Sequence, residues 1–139
     1  MNIDSIQTGT GIDHSTAGRS TRLYELLGLG SLEGVSVAII QNAVSHKMGR
    51  KDIIKIDADI PINFDVIGYV DPTATVNIIR DGQLVDKRVI GMPETLVNVI
   101  RCKNPRCITS TEQELDHVFK LTDRRHEIYR CVYCETKAN

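Results

Sequence analysis

A chain of 139 residues, 41% apolar and 25% charged, is long enough for one ordinary domain or two small ones, and its composition excludes a disordered or fibrous protein. A net charge of −1 excludes a surface built throughout to neutralise nucleic-acid phosphates, so any anion site must be local. No apolar run approaches the roughly 18 residues of a membrane span, and the opening MNIDSIQTGTGID has neither the basic lead nor the apolar stretch of an export signal, which predicts a cytoplasmic protein.

With four Tyr, two Phe and no Trp, the cores must be built from Ile, Val and Leu, which suits sheets. Gly9-Thr10-Gly11 is too short for a phosphate loop and lacks its lysine. Ser15 or Thr16 is placed to cap a helix from Ala17 to Leu27, with Leu23, Leu26 and Leu27 on one face and Gly28 ending it. The β-branched run Val35 to Ile40 predicts a largely buried strand. After a polar loop from Ser45 to Arg50 comes a second strand, Lys51 to Asp57. Alternation sets Lys51, Ile53 and Lys55 on one face and Asp52, Ile54 and Ile56 on the other. Asn63 to Val70, between Pro61 and Pro72, reads as a short helix. Ala74 to Ile79 and Gln83 to Ile90 flank Arg80-Asp81-Gly82, whose Asp-Gly pair suits a tight hairpin turn. The order predicts an α+β fold, an antiparallel sheet with helices on one face in the ferredoxin-like manner. Gly91-Met92-Pro93 interrupts the strand pattern and divides the chain into domains 1–92 and 93–139.

All four cysteines lie in the last 38 residues. Cys102-x4-Cys107 and Cys131-x2-Cys134, with 23 residues between the pairs, follow the two-knuckle pattern in which each pair closes a turn around a tetrahedral Zn²⁺. Four thiolates leave no open coordination position, so such a site builds a fold and does no chemistry. Two disulfides are the alternative, disfavoured in a reducing cytoplasm, and iron suits the same four sulfurs. Val97 to Arg101 leads into the first pair. His117 to Leu121 and His126 to Arg130, around Thr122 to Arg125, form a hairpin feeding the second pair, which gives a small all-β, zinc-ribbon-like domain. Arg101, Lys103, Arg106 and Arg130 beside the cysteines soften the −2 formal charge of such a centre.

Further segments bear on function in chain order: Gly9-Thr10 with Ile12-Asp13-His14, Met48-Gly49-Arg50-Lys51-Asp52 with Ile54-Lys55-Ile56, Ala74-Thr75-Val76-Asn77, Lys87, and Pro93-Glu94. Together with the two cysteine pairs and Glu135 they resemble the regulatory chains of aspartate carbamoyltransferase over essentially the whole length. The resemblance implies a non-catalytic subunit of pyrimidine biosynthesis whose N-terminal domain binds ATP and CTP, with UTP as a further candidate, and whose zinc domain grips the catalytic chain. It also implies a homodimer through the N-terminal domains, one structural zinc per chain, and no contact with nucleic acid or membrane. Lys51, Lys55 and Lys87 are implied as cations for phosphates and ribose, Asp13 as a partner of the base amino group or a bound lysine, and His14 as a residue near the phosphates. Ile6 and Ile12 are implied as walls of the base, Asn77 and Ile79 as further binding positions, and Asn104, Arg106 and Glu135 as contacts with the catalytic chain. Gly82 stands where a tyrosine is expected in the family, and Gln7 and Thr8 stand where a basic pair is familiar.

Without the resemblance, Lys51 and Lys55 read as solvated strand lysines. Asp13-His14 reads poorly as an acid–base pair, because adjacent residues of an extended chain point apart and no nucleophile accompanies them. His46, His117 and His126 are not needed as metal ligands once four cysteines fill the shell. The alternative class is a nucleic-acid-binding zinc ribbon. From Cys102 onward, however, seven Lys/Arg face six Asp/Glu, whereas phosphate binding wants a basic stripe. An enzyme with a small ligand needs a nucleophile or an open metal position, and neither is present.

Overall fold

The computed structural model describes residues 7–138. The chain divides into two compact units, Met1–Gly91 and Met92–Asn139. Among the described residues, no helix is long and apolar enough to cross a membrane.

The first unit runs β1 (Gly9–Thr16), α1 (Ser20–Leu26), a 3₁₀ turn (Leu29–Ser31), β2 (Ser36–Ser45), β3 (Gly49–Asp57), α2 (Phe64–Val70), β4 (Thr75–Arg80) and β5 (Gln83–Val89). All five strands join one antiparallel sheet in the order β2-β3-β1-β4-β5. The first four strands and both helices follow the β-α-β-β-α-β order of the ferredoxin-like fold, and β5 extends it beyond β4. Alternation along the strands sends Ile12, Ile54, Ile56 and Val76 to one face, where they pack with Leu23 of α1 and Ile67 and Val70 of α2. Each such side chain, fully buried, stabilises the fold by about 1.5–3 kcal/mol.

The first unit departs from the sequence reading in three places. The central strand, β1, lies where no strand is expected, because Gly9, Gly11 and the Asp13-His14 pair break the β-branched pattern; its pairing with both β3 and β4 makes it a strand. The helix α1 starts at Ser20 rather than Ala17, and its N-cap, Arg19, makes no side-chain cap. Ser15 and Thr16 are used elsewhere: Ser15 Oγ donates to Asp71 Oδ2 at 3.1 Å, and the Thr16 N–H donates to the same carboxylate. Finally, β2 is a sheet edge and only half-buried, with Val44 70% exposed, since among the described residues no strand pairs with its outer side.

Other elements of the first unit follow the sequence reading, whereas the second unit, expected to be all-β, also holds a one-turn helix at Ile108–Thr111. Asn63 caps α2 by accepting from the Asp65 N–H at 3.0 Å. Gly28 ends α1 at φ 68°. Asp81 and Gly82 turn the β4–β5 hairpin at φ 52° and 76°, the double positive φ of a tight hairpin turn. The second unit holds β6 (Thr95–Val97), α3 (Ile108–Thr111), β7 (Val118–Asp123) and β8 (Ile128–Cys131). Its three strands pair antiparallel in the order β6-β7-β8. Leu96, Phe119 and Tyr129 are its large buried side chains, a small core for an independent unit.

Two solvent-inaccessible carboxylates, Asp52 and Asp71, fix the ends of the first sheet. Asp52 accepts from the Gly18 N–H at 3.0 Å, the Ser20 N–H at 3.2 Å and the Asn42 N–H at 2.8 Å. Asn42 sits at φ 59° where β2 slips register against β3, so this carboxylate anchors a β-bulge and the start of α1 together. Burial alone raises the Asp52 pKa, but the hydroxyl of Ser20 and these N–H groups stabilise the anion more, and the net shift is downward from 3.8. A depressed native value means stability that is present above about pH 4 and lost as pH falls through that value. Asp52→Asn is therefore expected to lower the unfolding free energy near neutral pH by about 2 kcal/mol. In denaturant titrations monitored on the first unit, the gap between parent and variant should narrow below about pH 4; a gap independent of pH would show that the charge of Asp52 is immaterial.

Candidate functional site

Both helices pack on the sheet face that carries Ile12, Ile54, Ile56 and Val76, and among the described residues no helix packs on the other face. Register places Lys55 of β3 beside Gly11 of β1, Gly11 beside Asn77 of β4, and Asn77 beside Lys87 of β5. These four residues form one row across the sheet, three strand spacings or roughly 14 Å wide. Gly9, opposite Ile79, and Gly11 share the outward face of the central strand. The middle of the sheet is therefore a shallow trough floored by backbone, where a ligand can approach the main chain closely. Among the described residues, a Cβ added at Gly11 meets only the Asn77 Cβ, at an ordinary contact distance of 3.9 Å.

Charge and unmet hydrogen bonding collect in this row. Lys51 Nζ lies 3.0 Å from Asp13 Oδ1. Lys55 and Lys87 have no ion-pair partner among the described residues. Asn77 Oδ1 is a buried acceptor with no donor among the described residues, which is costly unless a ligand or solvent supplies one. Burial raises the Asp13 pKa, but the Lys51 ammonium and the His14 N–H, 2.6 Å from Oδ1, more than offset it and hold the carboxyl ionised. His14 stands at φ 56° in a register slip of β1, and its Nδ1 is 3.0 Å from Thr75 Oγ1.

Sequence reasoning missed Thr75, and the two glycines carried a signal in their i, i+2 spacing. Ile12 departs from the expected role: its side chain is fully buried in the core beneath the sheet, because strand alternation turns it away from the lysines. Ile6 lies outside the described residues. The segment after it reaches the hairpin, where the Gly82 N–H donates to the Gln7 carbonyl at 2.8 Å.

In the second unit, the Sγ atoms of Cys102, Cys107, Cys131 and Cys134 all lie within 4.8 Å of one another. The Cys102–Cys134 and Cys107–Cys131 separations are 3.5 and 3.7 Å. A tetrahedron of sulfurs at the usual zinc–sulfur length has edges of about 3.8 Å, so the set fits the ion, and all four cysteines are free thiols rather than disulfides. Burial pushes the Cys102 thiol up to about 12, whereas the Thr136 hydroxyl draws the Cys134 thiol down to about 6. The Cys102 N–H donates to His117 Nδ1 at 3.1 Å, which keeps that histidine behind the cluster and out of it.

Asn104 Oδ1 accepts from the Arg106 N–H at 3.0 Å, and the Asn104 carbonyl accepts from Ser110 Oγ at 2.7 Å. Asn104 thus shapes the first knuckle, while the Arg106 side chain is exposed. Glu135, exposed at φ 64°, closes the second knuckle through its N–H to the Cys131 carbonyl at 2.9 Å. Around these knuckles Val97, Ile108, Val132 and Tyr133 are exposed apolar residues.

Two family models match the chain. Residues 1–91 match the aspartate carbamoyltransferase regulatory chain, allosteric domain, and residues 94–139 match the metal binding domain of the same chain. Among curated relatives, an aspartate carbamoyltransferase regulatory chain of Clostridium tetani is 46% identical over 97% of this chain and 94% of its own length. That of Clostridium botulinum strain Hall is 43% identical over 97% and 92%, and that of Bifidobacterium longum 42% over 99% of each.

The metal-binding family model and the thiolate cluster support one structural zinc ion. Structural zinc contributes on the order of 10 kcal/mol or more to folding of small domains, more than the small apolar core of this unit supplies. Stripping zinc with a strong chelator is expected to abolish amide-exchange protection in β6, β7 and β8 while β1 to β5 keep theirs. Retention of protection in both units after zinc loss would contradict the structural role of the ion.

Proposed function

Because the chain belongs to the aspartate carbamoyltransferase regulatory-chain family, a non-catalytic partner in pyrimidine biosynthesis, we propose that its first unit senses nucleoside triphosphates on the open sheet face. The observation that carries this reading is the row Lys55, Gly11, Asn77 and Lys87: two cations with no ion-pair partner among the described residues flank a glycine and a buried acceptor with no donor among them. Unpaired lysines suit phosphate oxygens. Asn77 Oδ1 suits a ribose hydroxyl or base amino group, and the Asp13–Lys51 pair offers a second polar anchor at the end of the trough. ATP and CTP, and UTP with them, have the required anionic tail and flat base. The side-chain-free backbone of Gly11 suits that base, where a larger side chain would block it.

In this reading the zinc unit holds the catalytic chain. Asn104, Arg106 and Glu135 lie at the knuckles, beside the exposed Ile108, Val132 and Tyr133, an apolar patch with a polar rim of the kind partner surfaces use. The first units pair as a homodimer. Support comes from the two edge strands, β2 with Ile39 and Val44 and β5 with Leu84, Val85 and Val89, which leave apolar side chains exposed and ladder groups unpaired. Four free thiols gathered for a metal fit a reducing cytoplasm. Nucleotide acts by binding the two states of the assembly with different affinity, a coupling of about 1–3 kcal/mol.

The deciding experiment is an aspartate saturation curve of the cognate catalytic chains, alone and with this zinc-loaded chain, with and without CTP and ATP. A midpoint that nucleotide moves only when this chain is present supports the reading; a complex indifferent to both nucleotides overturns the sensing half. Lys55→Ala and Lys87→Ala should each weaken nucleotide binding at least about 10-fold. Gly11→Ala should weaken binding measured by calorimetry while leaving the thermal midpoint of the chain nearly unchanged, since the added Cβ comes no closer than 3.9 Å to its nearest neighbour among the described residues, the Asn77 Cβ.

A further inference from the structure

The second cysteine of each knuckle is followed two residues later by a threonine, Cys107-Ile108-Thr109 and Cys134-Glu135-Thr136. The repetition has a structural counterpart. Thr109 is buried, 4% exposed, and its Oγ1 lies 3.1 Å from Cys107 Sγ. Thr136 is half-buried, and its Oγ1 lies 3.2 Å from Cys134 Sγ. A zinc-bound thiolate has no proton to give, so in the loaded centre each hydroxyl is the donor and each sulfur the acceptor. Among the described residues, no hydroxyl makes such a contact with Cys102 or Cys131. Among the described residues, two of the four sulfurs thus have a threonine hydroxyl within hydrogen-bond distance and two do not.

The centre carries a formal charge of −2, and charge-assisted hydrogen bonds to its sulfurs are stronger than neutral ones. We propose that Thr109 and Thr136 are positioning residues of the zinc centre: their hydroxyls donate to the Cys107 and Cys134 thiolates, withdraw electron density from the sulfurs and slow attack on them by electrophiles. For Thr109 the constraint is tight, because a buried hydroxyl needs a partner and, among the described residues, the Cys107 sulfur is the one it has. For Thr136 the role is protective, because Cys134 is the cysteine with the greatest exposure of the four and the one an attacking reagent meets first.

Zinc release from the full-length, zinc-loaded chain under iodoacetamide tests this. In that reaction a thiolate sulfur forms a bond to carbon, iodide leaves, and the thioether no longer holds the metal well. The freed zinc is read with a chromogenic chelator. Thr109→Val and Thr136→Val keep the shape and remove the donor, and each is expected to speed release by about 10-fold, at the lower end of the effects of outer-shell partners. Thr109→Ser restores the hydroxyl and should fall within about twofold of the parent. In the Co²⁺-substituted chain, the sulfur-to-metal charge-transfer band should move to lower energy in both valine variants and return in Thr109→Ser, a shift that loss of packing alone does not produce. If Thr109→Val fails to retain metal, Thr136→Val, at the more open position, decides the matter. Valine variants with parental release rates and unmoved bands, or a serine variant as fast as valine, would overturn the proposal.

Discussion

Asp52 is sealed from solvent yet ionised, and three stretches of chain are tied to its two oxygens: the approach to α1, the first turn of α1, and the bulge of β2. A buried carboxylate persists only where hydrogen bonds replace its water, so the segments that supply those bonds cannot drift. Asp71 does the same for the end of β1 through Ser15 and Thr16. Asp71 thus holds the end of the central strand, and Asp52 the chain that leaves it for α1. Register matters because the strand period is two, and a slip of one residue exchanges the faces of every side chain. With β1 fixed, Thr10 and Ile12 enter the core and Gly9, Gly11 and Asp13 point outward. The trough, its flanking lysines and the Asp13–Lys51 pair all follow from that assignment.

The two faces of the sheet therefore divide the work. The inner face is covered by two helices of seven residues each, enough to bury Ile12, Ile54, Ile56 and Val76. Among the described residues no helix covers the outer face, and an antiparallel sheet tolerates this because one side can stay solvated. A face whose lysines Lys55 and Lys87 have no ion-pair partner, and whose Asn77 Oδ1 has no donor, among the described residues is poorly stabilised by itself. Ligand that satisfies those groups adds its binding energy to the folded state, by mass action.

The second unit solves a different problem. Its apolar core is too small to order its loops, and the ion replaces the missing core by gathering two knuckles from opposite ends of the unit. The thiolate charge that makes zinc bind well is also what makes the centre reactive. Buried or half-buried threonine hydroxyls beside two of the sulfurs meet that charge without adding a ligand.

The metal ligands were legible in the sequence, because cysteine spacing around a tetrahedral ion is set by local turn geometry. So were α2, with its Asn63 cap, and the Asp81-Gly82 hairpin, since both depend on residues adjacent in the chain. The facing of Lys51 and Lys55 followed from period two alone. The central strand did not: with two glycines and a bulge at His14, β1 has little strand propensity of its own and is made a strand by partners far along the chain. Nor did the start of α1, because Ser15 and Thr16 are good caps by type but are claimed by Asp71, a residue more than fifty positions away. That Lys55, Gly11, Asn77 and Lys87 lie in one row, and that Ile12 lies beneath it, is a matter of strand order and register. Those are fixed by the packing of the whole core, and tertiary structure alone decides them.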